Sequence, residues 1–173
     1  MALEKALLAG GCFWGMEDII RKIPGVQKTT VGYTGGVTPN PTYNDVKTGK
    51  TGHAEAIEIE FENTQISFEE LLEKYFFRMH DPTTEDRQGN DRGSQYRSAI
   101  FFHDQVQKET AEEVKTTFDR LGFWDRPIVT QIVPAGPFYS AEEYHQDYLE
   151  KNPGGYTCHY MRPAKSASTT AHR

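Results

Sequence analysis

The chain has 173 residues, of which 36% are hydrophobic, 12% aromatic and 25% charged, so it is too apolar to stay disordered and long enough to bury roughly two-thirds of its unfolded surface. Its net charge of −6 comes without clustered Lys and Arg, which argues against nucleic acid because phosphate contacts need basic groups. No stretch approaches the ~18 consecutive apolar residues of a membrane span, and Met1 to Leu8 lacks the basic and apolar regions of a secretion signal, so the chain is expected to be cytoplasmic.

In chain order, Lys5 to Ala9 is an apolar run halted by Gly10-Gly11 and predicts the first strand. After Cys12, residues Phe13, Met16, Ile19, Ile20 and Ile23 follow helical spacing until Pro24-Gly25 ends it. Val26 to Tyr33 predicts a second strand, and the segment after it reads as irregular. Ala54 to Phe61 alternates apolar residues with Glu55, Glu58 and Glu60 and predicts a third. Ser67 and Glu70 have capping-box spacing and open a helix over Phe68 to Met79. His80 to Gln95 reads as a polar loop, Tyr96 to Phe102 as a strand, Asp104 to Leu121 as a long helix ended by Gly122, and Ile128 to Val133 as a strand. Ala141 to Glu150 predicts a short helix stopped by Asn152-Pro153-Gly154-Gly155, and the Ser/Thr/Ala-rich residues 164–173 predict a disordered tail. This order predicts one α+β domain over residues 1–163. Its expected architecture is a two-layer sandwich with a ferredoxin-like core, a mixed or antiparallel sheet and a coiled C-terminal tail.

Cys12 and Cys158 are the two cysteines, and in a chain expected to be cytosolic a redox or catalytic role outranks a permanent disulfide. Gly10-Gly11-Cys12-Phe13-Trp14-Gly15 sets Cys12 where a strand gives way to a helix. There unpaired N–H groups and the helix dipole favour thiolate over thiol, and the glycines leave the sulfur open to approach. The same placement also fits a small buried cysteine at a glycine-rich turn. Phe13 and Trp14 offer large apolar rings beside it, as core or as the wall of a pocket.

Here a resemblance enters. Gly11-Cys12-Phe13-Trp14-Gly15 resembles the signature of the type A peptide methionine sulfoxide reductases. Gly32-Tyr33-Thr34-Gly35-Gly36, Pro41-Thr42-Tyr43, Gly52-His53-Ala54-Glu55-Ala56 and His80-Asp81-Pro82-Thr83 resemble that family in order and spacing. The run from Gln88 to Ser98 and Glu143-Tyr144-His145-Gln146-Asp147-Tyr148 continue the series. An ordered set of this length, spanning nearly the whole chain, is far more specific than any single motif.

The resemblance implies thiol-dependent reduction of the S epimer of methionine sulfoxide, free or in peptides. Cys12 would be the nucleophile. A sulfoxide oxygen leaves only with a proton, and Glu55 is the implied acid, its pKa raised by burial. Tyr43 and Tyr96 match tyrosines that hydrogen-bond that oxygen, Phe13 and Trp14 match the wall that receives the methyl group, and Asp91 matches the acid that holds the substrate amide. His145 and Tyr148 line or buttress the site. The sulfenic acid left on Cys12 would condense with Cys158, carried on a segment with the composition of a mobile coil, and thioredoxin would reduce the resulting disulfide. No metal-ligand spacing and no dinucleotide fingerprint is present, so no cofactor is expected. A monomer acting on oxidised proteins and peptides is anticipated. Two rivals stay open: a thiol peroxidase, which needs an arginine beside the thiolate, and a redox sensor whose disulfide alters binding.

Overall fold

The computed structural model describes residues 2–163; the predicted tail, 164–173, lies outside them. Four strands form its centre: β1 (Leu3–Gly10), β2 (Val26–Thr34), β3 (Ala54–Glu62) and β6 (Ser98–Phe102). With β7 (Gln131–Pro134) and β8 (Phe138–Ser140) they make a six-stranded sheet in the order β7-β6-β1-β3-β2-β8. Only β6 and β7 run parallel, joined through the long helix Gln105–Leu121; the other pairings are antiparallel. The architecture is therefore mixed α+β. A separate hairpin pairs β4 (Arg87–Gln88) with β5 (Asp91–Arg92).

Period-two alternation explains how β1 can be apolar without a break from Ala6 to Ala9. Ala6 and Leu8 face the main core with Ile57, Ile59 and Phe61 of β3, while Leu7 and Ala9 join Ala54, Ala56, Ala99 and Phe101 on the other side. The main core is covered by helix α1 (Phe13–Ile20), through Met16 and Ile20, by the helical stretch 68–79, and by Ala111, Val114 and Phe118 of the long helix. The capping box of Ser67 and Glu70 forms as predicted, with the middle of that stretch, Leu71–Phe76, widened into a π-helix.

The link from β7 to β8 shows that the sheet is curled. A flat six-stranded sheet measures about 24 Å between its outer strands, yet Ala135, Gly136 and Pro137 alone join one edge to the other. Four peptide steps reach about 14 Å at most, so the two edges must bend toward each other. Ala135 N–H still bonds to Phe102 on the β6 side at 2.9 Å, and Thr34 on β2 already donates its hydroxyl to Pro137 at 2.7 Å.

Several sequence-based expectations need correction. Residues 141–150 are not one helix: a 3-10 turn at Glu143–His145 and a short helix at Tyr148–Lys151 are separated by Asp147 at φ 52°. Tertiary hydrogen bonds win over helical propensity here. The Gln146 amide pairs with both the N–H and the carbonyl of Val31, each at 2.9 Å, and Glu17 captures the Asp147 N–H at 2.7 Å. Tyr96 belongs to a 3-10 turn, Ser94–Tyr96, ahead of β6. β7 starts at Gln131 because Ile128 and Val129 donate their amides to Asp119 and Pro82 instead. Helix α2 (Tyr43–Lys47), the hairpin and β8 were not anticipated. Among the described residues, no helix is long and apolar enough to cross a membrane.

Gly32 is where β8 lies closest, since a Cβ there would collide with the Tyr139 carbonyl and the Phe138 ring. Gly32→Ala is expected to destabilise the protein by about 1–3 kcal/mol in urea unfolding and to raise hydrogen exchange across β8.

Candidate active site

Gly11, at φ 95°, turns the chain out of β1, and Cys12 then occupies the N-cap position of α1. On β3, Glu55 shares the parity of Ile57, Ile59 and Phe61, so its carboxyl points to the same side as α1. Its Oε1 accepts the Phe13 N–H at 3.1 Å, tying the strand to the first turn of the helix. Thr42 caps α2 through a reciprocal box with Asp45, which puts Tyr43 on the first helical turn. The hairpin carries Asp91 and is pinned by Gln88, whose amide exchanges bonds of 2.7 and 2.8 Å with the backbone of Asp81.

These elements meet at a cavity of about 110 Å³. That is roughly the liquid volume of four waters, which suits the end of one side chain. Seven residues named from the sequence line it: Cys12, Phe13, Trp14, Tyr43, Glu55, Asp91 and Tyr96. The eighth, Tyr156, was not named as a site residue. Its hydroxyl reaches both the Asp91 carboxyl and the Cys158 thiol. Asp91 Oδ2 is buried without a hydrogen-bond partner among the described residues.

His145 and Tyr148 stand behind this lining. Trp14 donates its indole N–H to His145 Nδ1 at 3.0 Å and stacks on Tyr148 with centroids 3.8 Å apart and planes 9° from parallel. The His145 ring also lies 4.6 Å from Tyr43 and 5.3 Å from Phe13, centroid to centroid, so it buttresses three walls at once. Because Nδ1 accepts from Trp14, the proton of the neutral ring sits on Nε2; burial holds its pKa below the ordinary value. Glu142, also not named from the sequence, accepts the Tyr33 hydroxyl and the Tyr43 N–H, each at 2.9 Å.

The electrostatics correct one expectation. The Trp14 and Gly15 amides do pull the Cys12 pKa down, but burial, followed by the nearby Glu55 carboxyl, pushes it well above the ordinary thiol value. Cys12 therefore rests as a thiol. Burial raises Glu55 to about 8, against the lowering pull of the Phe13 N–H, so near neutrality it is protonated. Burial likewise pushes Tyr43 up to about 12 and raises Tyr96. At rest the groups around Cys12 are largely uncharged proton donors.

Cys158 lies one layer out, its sulfur 3.9 Å from the Gln88 carbonyl. The expected mobile coil is instead anchored beside it, His159 bonding to the Gly10 carbonyl at 2.7 Å. Both cysteines are free thiols. Among the described residues, no three His, Cys, Asp or Glu side chains converge as a metal site.

Residues 4–173 match the profile of a family described as peptide methionine sulfoxide reductase. A protein of Leifsonia xyli named peptide methionine sulfoxide reductase MsrA is 56% identical over 160 residues, 92% of each chain. Among solved structures, Mxr1 from Saccharomyces cerevisiae in reduced form superposes with a TM-score of 0.87 at 39% identity over 93% of both chains. Mxr1 in complex with Trx2 gives 0.63 at 26% identity, covering 93% of this chain and 91% of that one.

The coupling between Cys12 and Glu55 is measurable without any substrate. Above pH 8 the Glu55 carboxylate opposes thiolate formation, so Glu55→Gln is expected to speed alkylation of Cys12 by iodoacetamide at pH 9. An unchanged or slower rate would show that Glu55 does not oppose the thiolate.

Proposed function

Since this chain belongs to the peptide methionine sulfoxide reductase family, we propose that it reduces the S epimer of methionine sulfoxide, free or in proteins, with Cys12 as the nucleophile. The observation that supports this most directly is the single small cavity in which a thiol, a protonated carboxyl and two phenols surround a space walled by Phe13 and Trp14.

Substrate enters with its methyl group against Trp14 and its oxygen toward Glu55, Tyr43 and Tyr96. The unpartnered Oδ2 of Asp91 takes a substrate backbone N–H. As the Cys12 sulfur attacks the sulfinyl sulfur, Glu55 gives its proton to the departing oxygen, and the thiol proton replaces it on Glu55. The sulfur–sulfur bond so formed and the substrate's sulfur–oxygen bond then break as the protonated oxygen passes to the Cys12 sulfur. Methionine leaves as the thioether and Cys12 is left as sulfenic acid, with no proton gained or lost overall. Cys158 then attacks Cys12, forming a disulfide and releasing the oxygen as water. A thioredoxin dithiol reduces that disulfide by exchange, a step supported by the similarity to a yeast protein solved with Trx2. Among the residues lining the cavity the polar side chains are a thiol, carboxyls, phenols and an indole, with no guanidinium, which favours this reading over a peroxidase. The strand order β6-β1-β3-β2 with α1 and the 68–79 helix is consistent with a ferredoxin-like core in a two-layer sandwich. We read residues 1–163 as one domain that acts as a cytoplasmic monomer.

Two experiments test the scheme. Cys12→Ser is expected to abolish reduction, whereas Cys158→Ser is expected to give one methionine per enzyme and then stop under thioredoxin. Turnover of the first variant, or undiminished cycling of the second, would remove that cysteine from its role.

General acid help is worth about 10²–10⁴ in rate, so Glu55→Gln is expected to slow sulfenic acid formation by that order in single-turnover kinetics. Glu55 must be protonated to act, and its folded pKa is about 8. The wild-type step is therefore expected to lose rate as pH rises through about 8, and the variant to lack that descent. A Gln variant with wild-type speed would assign the proton to another donor.

A further inference from the structure

Resolving Cys12 by Cys158 requires two distant parts of the chain to meet, since a disulfide closes only with Cα atoms about 4.4–6.8 Å apart. A free coil would lose entropy in each closure, a loss that grows with the logarithm of the loop length. The segment carrying Cys158 is not free. His159 is 7% exposed, and its Nε2 lies 2.7 Å from the carbonyl oxygen of Gly10, the last residue of β1. A carbonyl can only accept, so Nε2 carries the proton. Along the chain this bond is one residue from Cys158 and two from Cys12, so it ties together the two segments that carry the partners.

The surroundings are shaped for the same contact. The Thr157 hydroxyl accepts the His159 N–H at 3.1 Å, turning the chain tightly around Cys158. A Cβ on Gly15, in the first turns of α1, would collide with both the His159 ring and Thr157 Oγ1, so this segment lies flush on the helix that Cys12 caps. A Cβ on Gly11 would meet His159 Cε1 at 3.3 Å. Further on, Arg78 and Arg162 exchange bonds of 2.8 and 3.1 Å, but that anchor is remote from either sulfur.

We infer that His159 is a positioning residue for the second chemical step: its bond to the Gly10 carbonyl latches residues 157–159 onto the Cys12 loop and keeps Cys158 within closing distance. Burial holds the imidazole pKa down to about 4, so the latch is unaltered across the physiological pH range. The sulfur of Cys158 rests toward Gln88 and Gly89; closure then needs a local turn about residue 158, not a search by the whole C-terminal segment. Loss of such alignment costs on the order of 10²-fold in rate.

The inference rests on the proposed sulfenic acid and disulfide sequence, and its test separates the two. An amide at position 159 places its nitrogen near the imidazole Nε2 if it is Gln and near Nδ1 if it is Asn, so only Gln can still reach Gly10. Each protein is mixed with methionine sulfoxide without reductant, and methionine and dimedone-reactive sulfenic acid are followed. His159→Asn and His159→Gln are both expected to release one methionine per enzyme at the wild-type rate. In the Asn variant the sulfenic acid is expected to persist about 10²-fold longer, and in the Gln variant to disappear within a few-fold of wild type. Closure at the wild-type rate in Asn, or closure in Gln as slow as in Asn, overturns the latch. If the wild type released no methionine, the activity reading would fail; disulfide closure after hydrogen peroxide, which also makes sulfenic acid, would then decide the latch on its own. Should the Asn chain not fold, the Gln variant decides, since closure well below the wild-type rate overturns the proposal.

Discussion

Glu55 is 2% exposed and accepts the Phe13 N–H at 3.1 Å. This contact joins the start of β3 to the start of α1, and with them the acid to the nucleophile. A lone carboxyl taken out of water favours its neutral form, while a backbone donor keeps it from being orphaned and fixes which oxygen stays free. Tyr43 and Tyr96 feel the same carboxyl, which helps hold them protonated. The cavity is therefore a cluster of proton donors kept neutral chiefly by burial, with the Glu55–Phe13 bond fixing where the acid stands.

The aromatic support behind it follows a second constraint. The segment 141–151 is tied to β2 by the Gln146 amide and to α1 by Glu17. Without those bonds it would be free to wind as the helix its composition suggests, and neither His145 against Trp14 nor Glu142 against Tyr43 would be placed. Stability and site geometry share these hydrogen bonds. The buried Glu17 carboxylate acts here as a clasp, and burial raises its own pKa.

Much of this could be read from the residues alone, for identifiable reasons. An apolar run stopped by Gly10-Gly11 located β1, alternation with Glu55, Glu58 and Glu60 located β3, and helical spacing of Phe13, Met16, Ile19 and Ile20 located α1. The parity of Glu55 with Ile57, Ile59 and Phe61, and not with Glu58 and Glu60, is a visible signal that it faces inward. The 141–150 helix failed because propensity is local and Gln146 bonds to Val31 across 115 residues. β8 was missed because three residues are too short to show alternation. The thiolate expected at Cys12 failed because a helix N-terminus can be recognised in sequence, whereas the burial that outweighs it cannot. Tyr156 escaped notice because a glycine-rich neighbourhood gave no hint that its hydroxyl would meet Asp91.

The curl of the sheet has a further consequence. Open strand edges are templates on which other extended chains can add, and a peptide substrate of the kind proposed above would be such a chain. Here one outer strand ends in Pro134, which has no N–H to donate, and the other offers only Phe138 to Ser140. Both are drawn toward each other by the three-residue link between them. A polypeptide that presented its methionine to the cavity would find little straight backbone alongside to recruit it into the sheet, so nothing in the sheet would hold it after the reaction.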